Sequence, residues 1–298
     1  MTDIGKLATE QRNAASEHID RLPTLDMVRL INNEDKKVAG AVETVCPQIA
    51  EAIDGIYARM QRGGRLIYTG CGTSGRLGVL DAAECPPTYS TDPERVRAVI
   101  AGGYGAMFAA VEGAEDDRSL GANDLKALYL TKDDSVVGIA ASGRTPYVLG
   151  ALDYAKSVGA LTIAVTCCPG CEAEAHADIA ISPAPGPEVI TGSTRMKSGT
   201  AQKMILNMLS TGVMVKLGKV YGNLMVDVKA SNEKLRERCV RIVRQATGAE
   251  DAAARAALIE TNYACKTAIV MLLLGVDKTG AETLLTRANG RVAAALEG

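Results

Sequence analysis

The chain has 298 residues, of which 47% are hydrophobic, and its formal net charge is −2. This length allows one large α/β domain, or one domain with a small appendage. The nearly neutral charge disfavours nucleic acid as a partner, and no apolar run reaches the roughly 18 residues that a membrane span needs. Because the N-terminal sequence lacks the pattern of a secretory signal, we predict a cytoplasmic protein.

The first predicted element is a long helix at residues 34–63, where apolar residues recur at steps of three and four. Five short aliphatic or β-branched runs, each bounded by turn residues, then predict strands. The strands are predicted at 65–69, 96–101, 135–140, 161–166 and 179–182, with helices at 76–83, 106–111, 121–128 and 147–157. This alternation predicts an α/β fold, with a mostly parallel five-stranded sheet and helices on both faces.

After Pro187 the pattern changes to a series of helices. Helices are predicted at 198–217, 228–246, 249–260, 266–274 and 278–296. We therefore divide the chain into an N-terminal arm and helix at residues 1–50, an α/β domain at 51–222 and a small helical region at 223–298.

A glycine-rich loop follows the first predicted strand. It reads GCGTSG at residues 70–75 and leads into a helix. Backbone N–H groups and hydroxyls at a helix N-terminus suit a phosphate or a polyhydroxylated ligand. The alternative interpretation is an ordinary turn before a well-capped helix, since such a loop alone is a weak motif.

A second loop of this kind follows the third predicted strand. It reads SGRTP at residues 142–146 and again opens a helix. In a parallel sheet both loops would lie at the carboxyl ends of strands, where open α/β sheets bind ligands. Neither loop matches a Walker A or dinucleotide motif. A small phosphorylated metabolite is therefore a better prediction than a nucleotide.

Acidic residues near these loops are candidates for proton transfer. Asp81 and Glu84 share a helix face, and Glu84 directly precedes Cys85-Pro86-Pro87, which predicts the end of the helix. Glu115 follows the second strand, where it could point towards the same sheet edge. Most charges on helices belong instead to solvated faces.

Two cations lie immediately before the helix predicted at 198–217. Arg195 and Lys197 belong to the hydroxyl-rich segment TGSTRMKSGT at 191–200. Positive charge at a helix N-terminus is unfavourable to the helix dipole. An anionic ligand would explain these two residues, and a basic capping segment is the alternative.

The cysteines do not form a metal-binding pattern. The only cluster, CCPGC at 167–171, has His176 nearby but no second pair of ligands. We predict no metal site and reduced thiols.

Taken together, these loops resemble the sugar isomerase (SIS) domain, a three-layer α/β/α phosphosugar-binding fold. Longer strings resemble the N-acetylmuramic acid 6-phosphate etherase family from about residue 9 to about residue 275. They are TEQRN (9–13), TSGRLGVLDAAECPPT (73–88), EGAED (112–116), ASGRTPYV (141–148), TGSTRMKSGTAQK (191–203) and GNLMVDV (222–228). The SIS domain would then correspond to residues 51–222.

The resemblance implies a reaction in cell-wall amino sugar catabolism and recycling. The family cleaves the D-lactyl ether of N-acetylmuramic acid 6-phosphate with water, by β-elimination followed by hydration, and it uses no cofactor. By the family's pattern Glu84 is the proton donor and acid/base residue, and Glu115 is the second catalytic carboxylate. Which of the two removes the C2 proton stays open.

The resemblance also implies how the substrate is held. Two sets of loop residues should cradle the sugar and its 6-phosphate, namely Thr73, Ser74 and Gly75 in the first loop and Ser142, Gly143 and Thr145 in the second. Arg195 and Lys197 would bind the phosphate or the lactyl carboxylate. The family's members are homodimers with sites near the subunit interface, to which the 34–63 helix and the TEQRN arm could contribute.

Two alternatives remain at this point. One is a regulator that binds sugar phosphate without turning it over, similar to the glucokinase regulator. The other is an aldose–ketose phosphosugar isomerase, which would use the same C2 proton and leave the ether intact.

Overall fold

The computed structural model describes residues 8–297. The chain forms two compact units. The first unit comprises Met1–Ala82 and Glu94–Ser210, and the second comprises Ala83–Pro93 and Thr211–Gly298. Within the described part of the chain, no helix is both long enough and apolar enough to cross a membrane.

The first unit contains a parallel five-stranded sheet in the order β2-β1-β3-β4-β5, which confirms the predicted sheet. Its strands are β1 (Leu66–Gly70), β2 (Val96–Ile100), β3 (Ser135–Ile139), β4 (Leu161–Val165) and β5 (Ile179–Ile181). All residues of β1, β3 and β4 are buried. These strands are therefore the centre of the core, as their continuous apolar runs predict.

Helices surround this sheet. They are α1 (Thr24–Glu43), α2 (Cys46–Gln61), α3 (Gly72–Tyr89), α4 (Arg118–Ala127), α5 (Pro146–Ser157), α6 (Glu172–His176) and α7 (Lys197–Lys216), and α3 and α7 each have residues in both units. On one face Ile67 belongs to an apolar cluster with Leu125 of α4 and Ala151 of α5. The next residue, Tyr68, contacts the opposite face, where a Cβ on Gly78 of α3 would lie 2.8 Å from it. Successive strand residues thus reach both helical layers, which confirms the α/β/α arrangement.

The second unit holds α8 (Glu233–Thr247), α9 (Asp251–Glu260), α10 (Cys265–Leu274), α11 (Lys278–Arg287) and α12 (Val292–Leu296). A short hairpin precedes them, formed by β6 (Val220–Tyr221) and β7 (Leu224–Met225). Helices α8 and α10 each end at a glycine in the left-handed conformation, Gly248 and Gly275. These are common helix C-terminal signals, and the predicted C-terminal helical region is confirmed.

Three predicted helices are wrong in their extent or type. The helix predicted at 34–63 is two helices, because Pro47 near the start of α2 has no N–H to continue the ladder from α1. The helix predicted at 106–111 is a 3₁₀ turn at Tyr104–Met107. The last predicted helix is interrupted at Asn289 and Gly290, both of which have positive φ.

The predicted helix end at Cys85-Pro86-Pro87 is also wrong. Helix α3 continues through both prolines to Tyr89, and Ser90 N–H donates to the Pro86 carbonyl at 2.9 Å. A proline within a helix removes one backbone donor. Here both prolines lie in the last turn of α3. The two backbone hydrogen bonds that they cannot donate therefore do not end the helix before Tyr89. The chain around Glu84 is therefore regular helix.

Candidate active site

The first loop joins β1 directly to α3, with Cys71 between them. Gly75 packs so closely on the strand that an added Cβ would lie 2.5 Å from the Gly70 carbonyl oxygen. Thr73 and Ser74 therefore occupy the first turn of α3 at the carboxyl end of β1. The first backbone N–H groups of an α-helix have no acceptor within the helix, so they are available to a ligand.

The second loop joins β3 to α5. Its turn requires glycine, because Gly143 has φ +65° and an added Cβ would lie 2.1 Å from Cys171 Sγ. Gly143 N–H donates to the Ala140 carbonyl at 3.1 Å, and its own carbonyl accepts from Ala173 N–H at 2.9 Å. These bonds fix the loop that carries Ser142 and Thr145.

Strands β1 and β3 are parallel neighbours, so the two loops meet at one sheet edge. They enclose a cavity of about 320 Å³, a volume within the range of small-molecule sites. Its lining consists of Glu10, Cys71, Gly72, Thr73, Ser74, Glu115, Ile139, Ala140, Ala141, Ser142, Thr145 and Thr194. Five of the predicted site residues are therefore together, and Gly75 and Gly143 are buried in the loops behind them.

Ser74 is the least exposed of the four lining hydroxyls predicted to bind substrate. Its Oγ donates to Gln202 Oε1 of α7 at 3.0 Å, and it is 8% exposed. A hydroxyl oxygen keeps its lone pairs when its proton is donated. Ser74 can therefore still accept a hydrogen bond, while Gln202 fixes its rotamer.

Glu115 lies between β2 and α4 with an exposed side chain. Its backbone carbonyl accepts from Tyr147 N–H at 3.0 Å, which holds its segment against the start of α5. Glu115 also lines a neighbouring cavity of about 210 Å³, together with Cys71 and Gly72. Burial, followed by the charge of Glu115, raises the pKa of the Cys71 thiol to about 12. That thiol is therefore protonated at neutral pH and is a poor nucleophile.

Glu84 is in a different unit from Glu115. It lies on α3 within the segment Ala83–Pro93 of the second unit, and its side chain is exposed. Its role stays a prediction, as does that of Glu115.

Lys197 is 1% exposed, and its ammonium donates to Glu34 Oε2 at 2.9 Å. The backbone N–H groups of Lys197 and Ser198 both donate to the buried carboxylate of Glu188 at 2.9 Å. The anions at the N-terminus of α7 thus come from the protein itself, and the charge of Lys197 needs no ligand to explain it. Arg195 is exposed and makes no ion pair with any residue that the structure describes.

Glu34 is the centre of a buried polar cluster. Burial alone would raise its pKa, but hydrogen bonds from Lys37, Lys197 and Asn13 outweigh that effect and lower the pKa to about 2. Glu34 is therefore ionised throughout the neutral range, as its partner Lys197 requires.

Glu10 and Thr194 are cavity residues that the sequence patterns did not predict. Glu10 belongs to the TEQRN arm, which was predicted only as a subunit contact. In the structure Asn13 of this arm donates to Glu34 at 2.9 Å and to the Pro187 carbonyl at 3.2 Å. These contacts join residues far apart in the chain, so local patterns could not predict them. The similarity of the TEQRN string to the family was the one sequence signal that pointed to this arm.

Comparisons with known proteins match most of the chain. Family profiles match the N-terminal SIS domain of glucokinase regulatory protein at residues 48–156, the SIS domain at 108–212 and the C-terminal lid domain of glucokinase regulatory protein at 222–272. N-acetylmuramic acid 6-phosphate etherase 1 of Vibrio cholerae is 56% identical over 99% of this chain and 98% of its own length. The N-acetylmuramic acid 6-phosphate etherase of Photorhabdus laumondii is 58% identical over 97% and 96%.

The chain belongs to the N-acetylmuramic acid 6-phosphate etherase family. In this member of the family, the cavity between the two loops brings together Glu115 and the hydroxyls of Thr73, Ser74, Ser142 and Thr145. Among residues 8–297, no group of three or more His, Cys, Asp or Glu side chains could hold a metal ion.

The solved structures that resemble this etherase-family chain are more distant in sequence. A phosphoheptose isomerase from Neisseria gonorrhoeae has a TM-score of 0.48 and 17% sequence identity, and the match covers 64% of this chain and 98% of that one.

Proposed function

We propose that this protein cleaves the D-lactyl ether of N-acetylmuramic acid 6-phosphate with water, giving N-acetylglucosamine 6-phosphate and D-lactate. The observation that carries this proposal is the 56–58% identity to etherases over nearly the whole chain. The hydroxyl-lined cavity supports it, because its size and polarity suit a phosphosugar.

The cavity suggests how the phosphate is held. No lysine or arginine lines it within residues 8–297, so the main attraction among these residues comes from backbone N–H groups at the start of α3. Hydroxyls of Thr73, Ser74, Ser142 and Thr145 add hydrogen bonds. Arg195, adjacent to the cavity residue Thr194, is the cation that we propose for the phosphate or the lactyl carboxylate. Lys197 then acts indirectly, because its buried ion pair fixes the segment that carries Thr194 and Arg195.

The chemistry requires a base and an acid and no metal or organic cofactor. The aldehyde at C1 of the open-chain sugar acidifies the C2 proton. A carboxylate removes that proton, lactate leaves from C3 with a proton delivered to its oxygen, and water then adds to the unsaturated aldehyde. We propose Glu84 and Glu115 for these proton transfers.

We also propose that the protein acts in the cytoplasm as a homodimer. The exposed pair Tyr104 and Phe108, whose ring centroids lie 5.6 Å apart in an edge-to-face arrangement, supports a subunit contact near the Glu115 segment. Light scattering on the eluted peak of a size-exclusion column measures the mass directly. A mass near 31.2 kDa would contradict the dimer.

Isotope labelling tests the order of bond changes. Turnover in D₂O should place deuterium at C2 of N-acetylglucosamine 6-phosphate, and turnover in ¹⁸O-water should label its C3 hydroxyl. Direct displacement at the lactyl carbon would leave both positions unlabelled. Mass spectrometry of the product distinguishes these outcomes, and an unlabelled product would rule out elimination even if lactate is released.

The Ser142→Ala variant should raise KM more than it lowers kcat. A phosphate contact remote from C2 and C3 acts largely through uniform binding, and one hydrogen bond to a charged group contributes about 1.5–3 kcal/mol. Steady-state kinetics of lactate release measure both constants. Thr283→Ala, an exposed hydroxyl of α11, is the matched control. A collapsed kcat at unchanged KM would remove Ser142 from the phosphate site.

The second candidate function is a sugar-phosphate-binding regulator without turnover. The matches to two domains of glucokinase regulatory protein favour it over an isomerase. One assay separates all three functions. An etherase releases D-lactate, an isomerase forms a ketose without lactate, and a regulator binds the sugar phosphate unchanged.

A further inference from the structure

We propose that Glu10 is a substrate-binding residue whose carboxylate accepts a hydrogen bond from a neutral donor of the sugar, either a hydroxyl or the amide N–H. This inference rests on the proposed function, since it concerns the same cavity. Among the residues that the structure describes, Glu10 and Glu115 are the only charged side chains in the lining of that cavity. Glu115 comes from the segment between β2 and α4, whereas Glu10 comes from the N-terminal arm.

The arm is fixed at several points, so the position of Glu10 is well defined. Ser16 Oγ donates to the Val189 carbonyl at 2.7 Å, and Asn13 donates to Glu34 and to the Pro187 carbonyl. On the other side of Glu10, buried Thr9 accepts a weak hydrogen bond from Cys168 Sγ at 3.6 Å. These contacts hold the residues on both sides of Glu10 against other segments of the first unit.

The Glu10 carboxylate differs from the neighbouring carboxylates in having no partner among residues 8–297. Glu34 and Glu188 are buried and each accepts two or more hydrogen bonds from the protein, and Glu17 of the arm pairs with Arg12. Glu10 is half-buried, and none of its carboxylate interactions involves another residue in the described part of the chain. A partly desolvated carboxylate without a donor gains most from a ligand that brings one.

The chemistry of the cavity indicates which part of the substrate supplies that donor. An ionised carboxylate is an acceptor only, and it repels a phosphate. Glu10 Oε2 lies near Gly192, where an added Cβ would be 3.3 Å away, on the segment that leads to Thr194. We therefore assign Glu10 to the uncharged part of the sugar, and the phosphate to the start of α3.

The test compares Glu10→Ala and Glu10→Gln with Glu17→Gln, a matched change on the exposed part of the same arm. Calorimetry measures Kd for N-acetylglucosamine 6-phosphate and for 2-deoxyglucose 6-phosphate, and lactate release gives KM and kcat. Inorganic phosphate, as a competitive inhibitor, reports on the phosphate subsite alone. Thermal unfolding of each variant shows whether the arm and fold are retained.

We expect Glu10→Ala to weaken N-acetylglucosamine 6-phosphate binding and to raise KM by about 10- to 100-fold, the range of one hydrogen bond to a charged group. Inhibition by inorganic phosphate should be unchanged or tighter. Glu10→Gln, which keeps one acceptor oxygen and the side-chain shape, should fall between the wild type and Glu10→Ala. Loss of the effect with 2-deoxyglucose 6-phosphate, which has no donor at C2, would identify the amide N–H as the donor, and its persistence would identify a hydroxyl.

Two results would overturn the proposal. If both Glu10 variants bind the sugar phosphate as tightly as the wild type or more tightly, Glu10 only contributes repulsion. If kcat falls while KM stays unchanged, Glu10 takes part in proton transfer instead. A wild-type protein that releases no lactate would refute the proposed function, whereas the binding comparison would still decide the role of Glu10.

Discussion

Replacing Glu84 by glutamine is expected to abolish lactate release while the fold is retained. The change keeps the size of the side chain and removes its transferable proton. General acid–base groups typically contribute a factor on the order of 10²–10⁴. Because Glu84 is exposed on a regular helix, the melting temperature should stay within about 1 °C, as is usual for a surface substitution.

The measurement is kcat for lactate release at saturating substrate, with Glu260→Gln as the control. Glu260 is an exposed glutamate of α9 in the same unit. The control should retain wild-type kcat. Near-normal turnover of Glu84→Gln would show that Glu84 is not the acid/base residue, and the same change at Glu115 would then be the next variant to measure.

Replacing Lys197 by methionine is expected to lower the free energy of unfolding by up to about 3–5 kcal/mol, because it removes the buried cation of Glu34 and leaves the exposed Lys37 to pair with that carboxylate. Methionine is similar in length and fills the same space. The double variant Lys197→Met/Glu34→Leu should recover most of this loss, since an apolar replacement of a buried ion pair is often neutral. Urea unfolding at neutral pH measures all three proteins.

The loss in Lys197→Met should depend on pH. The folded-state pKa of Glu34 is about 2, below its ordinary value of 4.5. The stabilisation from this carboxylate is therefore fully present above about pH 4.5 and is lost as the pH falls towards 2. The difference between wild type and Lys197→Met should narrow over the same window. A difference that stays constant with pH, or a double variant no more stable than the single one, would contradict this assignment.

Local sequence patterns were sufficient for the sheet and for the meeting of the two glycine loops. The strands are short runs of aliphatic residues that are typical of a buried parallel sheet, and all five predicted strands are present. The loops at 72–75 and 142–145 follow adjacent parallel strands, so their meeting at one edge required no knowledge of distant contacts. Helix ends were predicted less well where proline was involved, because its effect depends on its position within the last turn.

Long-range burial decided what the local patterns could not. Asp81 shares a helix with Glu84, yet it is buried, where it accepts hydrogen bonds from Tyr68 at 2.8 Å and from Ser210 at 3.1 Å. Burial raises its pKa, an effect that those two hydrogen bonds partly offset. Helical spacing placed Asp81 and Glu84 on one face, but it could not show which of them is buried.

The sequence by itself determined the alternation of strands and helices, the two glycine loops, the candidate glutamates and the family, because each of these depends on residues that are close together in the chain. Only the tertiary structure decided that Lys197 pairs with Glu34, which lies 163 residues away, and that the arm carrying Glu10 borders the cavity. The physical reason is that the partner of a buried charge is set by which distant segments pack together, and no local spacing records that choice.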